Sequence, residues 1–228
     1  MDMSNNGVVR KSGWKYLLLS LGAFFGLASE VIHMYGWEPF VFGNISWRDY
    51  SAFQSLIHWV ITCVTWIIVG FLLIRAARNK LNFDIFVKGD SMKGWQLVAA
   101  LFGVALSVTM SYLDWGTFKI IGEFQSKNSI PKFLFQHLYY IVETGMFLLI
   151  IVFGQKAFEI WTKKENIPWG GIICGLTWGA AHLISRGYFD VANGVISTLN
   201  GFLFGAAYLL TNRDIRKSWV ILFLMFTM

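Results

Sequence analysis

Cysteine is nearly missing from this chain: Cys63 and Cys174 are the two in 228 residues, at no ligand spacing. They carry neither a metal motif nor a disulfide framework and are expected to be packed thiols. Proline is as scarce, with three residues, and no Pro/Ser-rich linker, low-complexity tract or internal repeat divides the sequence. A single domain, 1–228, is expected. Charge is short too: 14% of residues are Asp, Glu, Lys or Arg against 56% hydrophobic, and the mean hydropathy is +0.54. That balance excludes an ordinary soluble domain. No cleavable leader is expected, since the first apolar stretch runs on into Glu30 and His33 without a small-residue cleavage site.

What remains is an integral membrane protein, all-α, built as a polytopic helix bundle. Apolar runs near 15–35, 52–74, 94–113, 133–154, 168–185 and 189–211 each approach the ~20 residues that cross a bilayer core. Six full spans are expected, three in a first half (1–132) and three in a second (133–228). A seventh, Trp219 to Met228, is too short to cross at ~15 Å of helix. It either enters one leaflet only or is cut short.

The net charge of +6 reads as topology and not as nucleic-acid binding. Arg10, Lys11, Lys15, Arg75, Arg78, Lys80, Lys88, Lys93, Lys156, Lys163, Lys164, Arg213, Arg216 and Lys217 fall at one end of the alternating spans, and Arg48, Lys119, Lys127, Lys132 and Arg186 at the other. The positive-inside rule then puts the N-terminus in the cytoplasm, and a plasma membrane of bacterial type is expected. Segments 36–51 and 78–92 read as interfacial.

Polar residues recur at helical spacing inside the oily runs. Gly171, Gly175 and Gly179 mark a face for close helix packing, with His182 three residues on. Gly22, Gly26, Glu30 and His33 form a second stripe, Gln54, His58, Thr62 and Thr65 a third, Gln136, Tyr140 and Glu143 a fourth, and Asp190, Asn193, Ser197 and Asn200 a fifth. Counted at 1.5 Å per residue, His33, His58, His137 and His182 all lie within roughly 10 Å of the outer boundary. Glu30 shares that layer and Glu143 lies somewhat deeper. Such groups are costly in lipid unless they pair, bind a metal or face water, so a shared polar chamber is expected, with His137 read as interfacial. Hydrogen bonding between helices is the plain alternative for any one of them.

Span four with its Glu143, the sequence Trp178-Gly-Ala-Ala-His182, and the last span reading GFLFGAAYLLTNRDIRKSW resemble the core of the CAAX-protease and bacteriocin-processing family of intramembrane peptidases. The resemblance covers roughly residues 133–228. It implies an endopeptidase acting on a membrane-associated peptide or protein, with Glu143 activating a water and His182 binding a metal or stabilising the oxyanion. Trp178, Tyr140, Asn193 and Asn200 would line the substrate chamber. Glu143 stands between Val142 and Thr144 without a second glutamate, and no His-x-x-x-Asn follows. A divalent metal such as zinc, which takes three protein ligands in a hydrolytic site, would therefore draw on His182, His58, His33 and Glu30. Two other readings stay open: a catalytically inactive relative that binds a membrane partner or confers immunity, and a small transporter using the same chamber. Membrane lipid and a membrane-associated peptide or protein are the expected partners.

Overall fold

A computed structural model describes residues 3–127 and 129–228. The helices are α1 (Met3–Ile32), α2 (Glu38–Phe42), α3 (Ala52–Leu81), α4 (Gly94–Trp115), α5 (Lys119–Lys127), α6 (Ile130–Thr162), α7 (Trp169–His182), α8 (Val191–Leu210) and α9 (Ile215–Thr227). No strand occurs among the described residues. Local chemistry sets the boundaries. Ser51 caps α3 and exchanges hydrogen bonds with Gln54, and Asn82 ends that helix in the left-handed conformation. Ser129 with Pro131 opens α6, Asp190 caps α8 through the Asn193 N–H, and Asp214 caps α9 through Arg216 and Lys217.

α6 runs through the middle. Every residue from Met146 to Phe153 is buried, because α1, α3, α7 and α9 pack around it; a helix enclosed on all sides is apolar all round. α7 and α8 form the closest pair, and α4 covers α8 and α9. The glycine stripe lies at that pair's interface, as its spacing leads one to expect. A Cβ on Gly175 would sit 2.5 Å from the Thr198 carbonyl oxygen, and one on Gly171 2.7 Å from that of Phe202. Gly22 and Gly26 likewise face Leu73 and Val69 of α3, with Met146 of α6.

Among the described residues, five helical stretches are long and apolar enough to cross a membrane: Ser12–Phe42, Ala52–Leu81, Gly94–Trp115, Ile130–Thr162 and Val191–Leu210. Six full-length spans were expected, and α7 is the difference. It begins after Pro168 and ends at His182, 14 residues, or ~21 Å. Residues 183–187 leave the helix in turns, with Gly187 at positive φ, and Asn193 Nδ2 donates to the His182 carbonyl at 2.7 Å.

The partition of charge into two ends is matched by contacts. At one end Lys217 Nζ donates to the Asp90 carbonyl, Arg213 pairs with Glu159, and Trp14 packs on Trp161. At the other, Arg48 donates to the Arg186 carbonyl, Arg186 pairs with Asp114 and Asp190, and Lys132 donates to the Tyr50 carbonyl. The side chains of Arg10, Lys11 and Lys127 lie outside the described residues.

Candidate functional site

The His33–Trp37 segment after α1 is a π-turn, with the Glu38 N–H donating to the His33 carbonyl. On a regular helix Glu38 would lie about 80° around the axis from Glu30. The wider i→i+5 turn brings both carboxylates to one imidazole. His58 Nδ1 lies 2.6 Å from Glu38 Oε1 and its Nε2 3.0 Å from Glu30 Oε1. Tyr50 donates to Glu38 Oε2 at 2.9 Å and Tyr139 to Glu30 Oε1 at 2.9 Å. An unbroken file results: Tyr50, Glu38, His58, Glu30, Tyr139. Glu38 is fully enclosed, while Glu30 keeps 27% of its side chain accessible. Burial, then the hydrogen bond and charge of Glu38, push the Tyr50 phenol up to about 12, so it stays a donor.

His33 lies beside this file without joining it. Trp37 Nε1 donates to its Nδ1 at 2.9 Å, so that nitrogen carries no proton, and Nε2 donates to Thr65 Oγ1 at 3.1 Å. Thr65 passes its own proton to the Ile61 carbonyl.

A second cluster forms where α5 meets α6. Tyr140 donates to Glu123 Oε1, and Gln136 Nε2 donates to the Tyr140 oxygen at 2.5 Å. Lys119, buried, donates to the Phe226 carbonyl at 2.8 Å, and its ammonium lies 4.7 Å from the Tyr140 ring centre and 3.9 Å from that of Phe226. Glu143 links the two clusters. Glu30 acts on it electrostatically from one side and Lys119 and Glu123 from the other, and its Oε2 is buried with no hydrogen-bond partner.

His182 occupies the far side. Its Nδ1 donates to the Trp178 carbonyl at 3.0 Å, which leaves Nε2 as the acceptor nitrogen, and its ring stacks edge-on against Trp178. No hydrogen bond joins it to Glu143, but Lys119 acts electrostatically on both. Trp178 itself packs among Phe147, Phe204 and Phe226. Asn193 holds the end of α7 and Asn200 accepts from Ser107 of α4 at 2.6 Å, so both serve helix packing in this arrangement. Asp190 is drawn below the ordinary carboxylate range by the Asn193 N–H and, against burial, by Arg186. His137 donates to the Phe133 carbonyl of its own helix.

The residues that a zinc site would use are not gathered as ligands. Both ring nitrogens of His58 face carboxylates and both of His33 are engaged. Among the described residues no three His, Cys, Asp or Glu side chains converge in a metal-holding group. Sequence reasoning missed Glu38, Tyr50, Tyr139, Lys119 and Glu123. The available signals were the Glu30-to-Glu38 separation, which a regular helix would have scattered, and the i, i+4 pair Lys119/Glu123 in a segment counted as an outer connection.

The carboxyl groups of Glu30 and Glu38 thus meet at His58, and those of Glu123 and Glu143 lie near Lys119, with His33 and His182 beside the two clusters. Uncompensated charge is expensive in a low-dielectric interior, which favours the protonated form of a buried carboxyl group without a cationic partner. Comparison with protein-family models, curated proteins and solved structures gives no match.

Proposed function

We propose that this membrane protein works as a small carrier, in which an acidic chamber in the outer half of the bundle exchanges protons or small cations with the outer surface. The unbroken hydrogen-bonded file of Tyr50, Glu38, His58, Glu30 and Tyr139, which sets two carboxyl groups against one imidazole, carries the reading. Files of acidic, imidazole and hydroxyl groups are the usual means of moving protons where water is excluded, and Glu30 is the open member through which they would enter. In this scheme α7 completes a sixth crossing with its flanking turns, and the end bearing Lys88, Lys164 and Arg213 faces the cytoplasm.

Proteoliposomes loaded with a pH-sensitive dye test it. The wild-type chain should acidify the lumen when protons are supplied at the outer face, and E30Q and E143Q should lower that rate at least tenfold with helix content unchanged. Equal rates in wild type and both variants would remove the chamber from any transport role.

A second reading, the intramembrane endopeptidase, is supported by the unpartnered Glu143 Oε2 and the acceptor Nε2 of His182. In it Glu143 takes a proton from water, and His182 Nε2 accepts a hydrogen bond from that water, orienting it toward a peptide carbonyl. Its test is mass-spectrometric detection of cleavage of prenylated or leader-bearing peptides, lost in E143Q and H182A.

A further inference from the structure

A cavity of about 470 Å³ opens at the basic end of the bundle, between the chain leaving α3, the end of α6 and the turn that joins α8 to α9. That volume suits a small-molecule site. The acidic chamber is elsewhere: Gln155, which lines the cavity, lies ~18 Å along α6 from Glu143. The outer wall of the cavity is held in place. Phe83 packs edge-on against Tyr16 and beside Phe153, Ile85 is buried, and a Cβ on Gly89 would collide with the Asn212 carbonyl oxygen. Asn212 Nδ2 donates to the Asp90 and Ser91 carbonyls, and Lys217 Nζ to that of Asp90.

The polar groups that line it are unevenly matched. Asp84 pairs with Arg78, and Glu159 with Arg213. Lys88 and Lys156 form no ion pair among the described residues, and of the lining carboxylates Asp90 alone remains to face them. Lys88 and Lys156 against Asp90 leave the cavity a net positive charge. Tyr208, 6% exposed, lines the same space, and its hydroxyl donates to no group among the described residues. Buried hydroxyls are as a rule partnered. One that faces a cavity beside unpaired lysines calls for a negatively charged acceptor. The donors come from three elements, the chain after α3, α6 and α8. The two oxygens of a carboxylate lie in one plane, whereas a phosphate offers three strong acceptors arranged to meet donors from several sides. Phe83, Ile85 and Val152 give the cavity an apolar flank for a carbon stem.

We infer that this cavity is a binding site for a phosphate ester, with Lys88, Lys156 and Tyr208 as its donors. The inference is independent of what the acidic chamber does. The ester has two sources: a soluble metabolite of the aqueous phase, or the headgroup of an anionic lipid, which basic pockets between spans recognise at the membrane face.

Glycerol phosphate is the probe for the first source, added to the full-length chain in nanodiscs of phosphatidylcholine. For the second, phosphatidylglycerol replaces part of that lipid. The melting temperature of the wild-type chain should rise saturably in one arm or the other, as it does for any ligand of the folded state. Y208F removes a hydroxyl that bonds nothing in the protein, and K156M keeps the aliphatic stem, so both should melt as wild type does without the probe. Each should weaken the midpoint for the active probe about tenfold or more, the usual loss for a hydrogen bond to a charged group. D90N should tighten it. K88A, at an exposed position, gives the same reading should Y208F or K156M misfold. A rise with glycerol phosphate assigns a soluble ester, and a rise with phosphatidylglycerol alone assigns a lipid headgroup. No rise in either arm, an equal rise with glycerate, or a rise that Y208F, K156M and K88A all leave unchanged would overturn the assignment.

Discussion

Replacing Gly175 by alanine puts a methyl group where α7 and α8 already touch. The new Cβ would lie 2.5 Å from the Thr198 carbonyl oxygen, where ordinary contact begins near 3.4 Å, so the helices must separate by about 0.9 Å. The obstacle is backbone, and no rotamer change relieves it. Gly201 faces the same spot from the other helix, its Cβ falling 2.5 Å from the Gly175 Cα and N. Overpacking of this kind costs about 1–3 kcal/mol, and separation forfeits dispersion contacts along the whole pair; G175A should therefore lose ~2–3 kcal/mol. G175A/G201A should lose less than the two single losses added, because one separation accommodates both methyl groups. Gly145 supplies the control. A Cβ there meets nothing within 4 Å, and alanine is the better helix former by up to ~1 kcal/mol, so G145A should be neutral or stabilising. Equilibrium unfolding in bicelles by steric trapping measures all four variants. A G175A chain as stable as G145A would refute the backbone-contact argument.

Three further outcomes are expected. H58A strands the fully buried Glu38 carboxylate with Tyr50 and should cost ~3–5 kcal/mol, while E38Q added to H58A should recover much of it; thermal unfolding of both variants that found no recovery would break the file as an energetic unit. Asp214 is held below the ordinary carboxylate range: burial opposes this, and the N–H groups of Arg216 and Lys217 with the Arg216 guanidinium outweigh it. Its contribution is thus fully present above about pH 4 and lost as pH falls through the lower folded value. D214A should lose ~1 kcal/mol in thermal melting at neutral pH, and D214N should flatten the acid limb of the melting profile at smaller cost; an acid limb unchanged in D214N would refute the assignment. In a chain lacking Cys63 and Cys174, Lys88→Cys and Lys164→Cys should label from one side of the membrane, Arg48→Cys and Tyr188→Cys from the other; mixed labelling within either pair would end the two-ended arrangement.

By itself the sequence determined the class of protein and much of its grain. An apolar chain with so few charges has to bury its backbone polarity in helices when water is withheld. Residues four apart on such a helix share a face, so the Gly171–Gly175–Gly179 stripe named an interface before its partner, α8, was known. The alternation of basic residues foretold which loops meet at each end. The inward turn of Glu30, His58 and Glu143 was legible for the same reason.

Tertiary structure alone decided which of those groups meet. Periodicity fixes a side chain's direction about its own axis and says nothing of the neighbour it will find, so the pairing of His58 with Glu30 and Glu38 depended on how α1 and α3 dock. The π-turn at His33–Trp37 broke the 3.6-residue period itself and carried Glu38 inward from a stretch that reads as interfacial. α5 was hidden because nine residues with mixed polarity give too little pattern to separate from a loop, and Lys119 and Glu123 went with it. α7 stopped at 14 residues although its apolar run continues, since hydropathy counts residues able to sit in lipid and takes no account of where hydrogen bonds from a neighbouring helix end the turn. A local signal is written along one strand of chain; burial, pairing and charge balance are properties of several strands at once, and the docking of helices settles them.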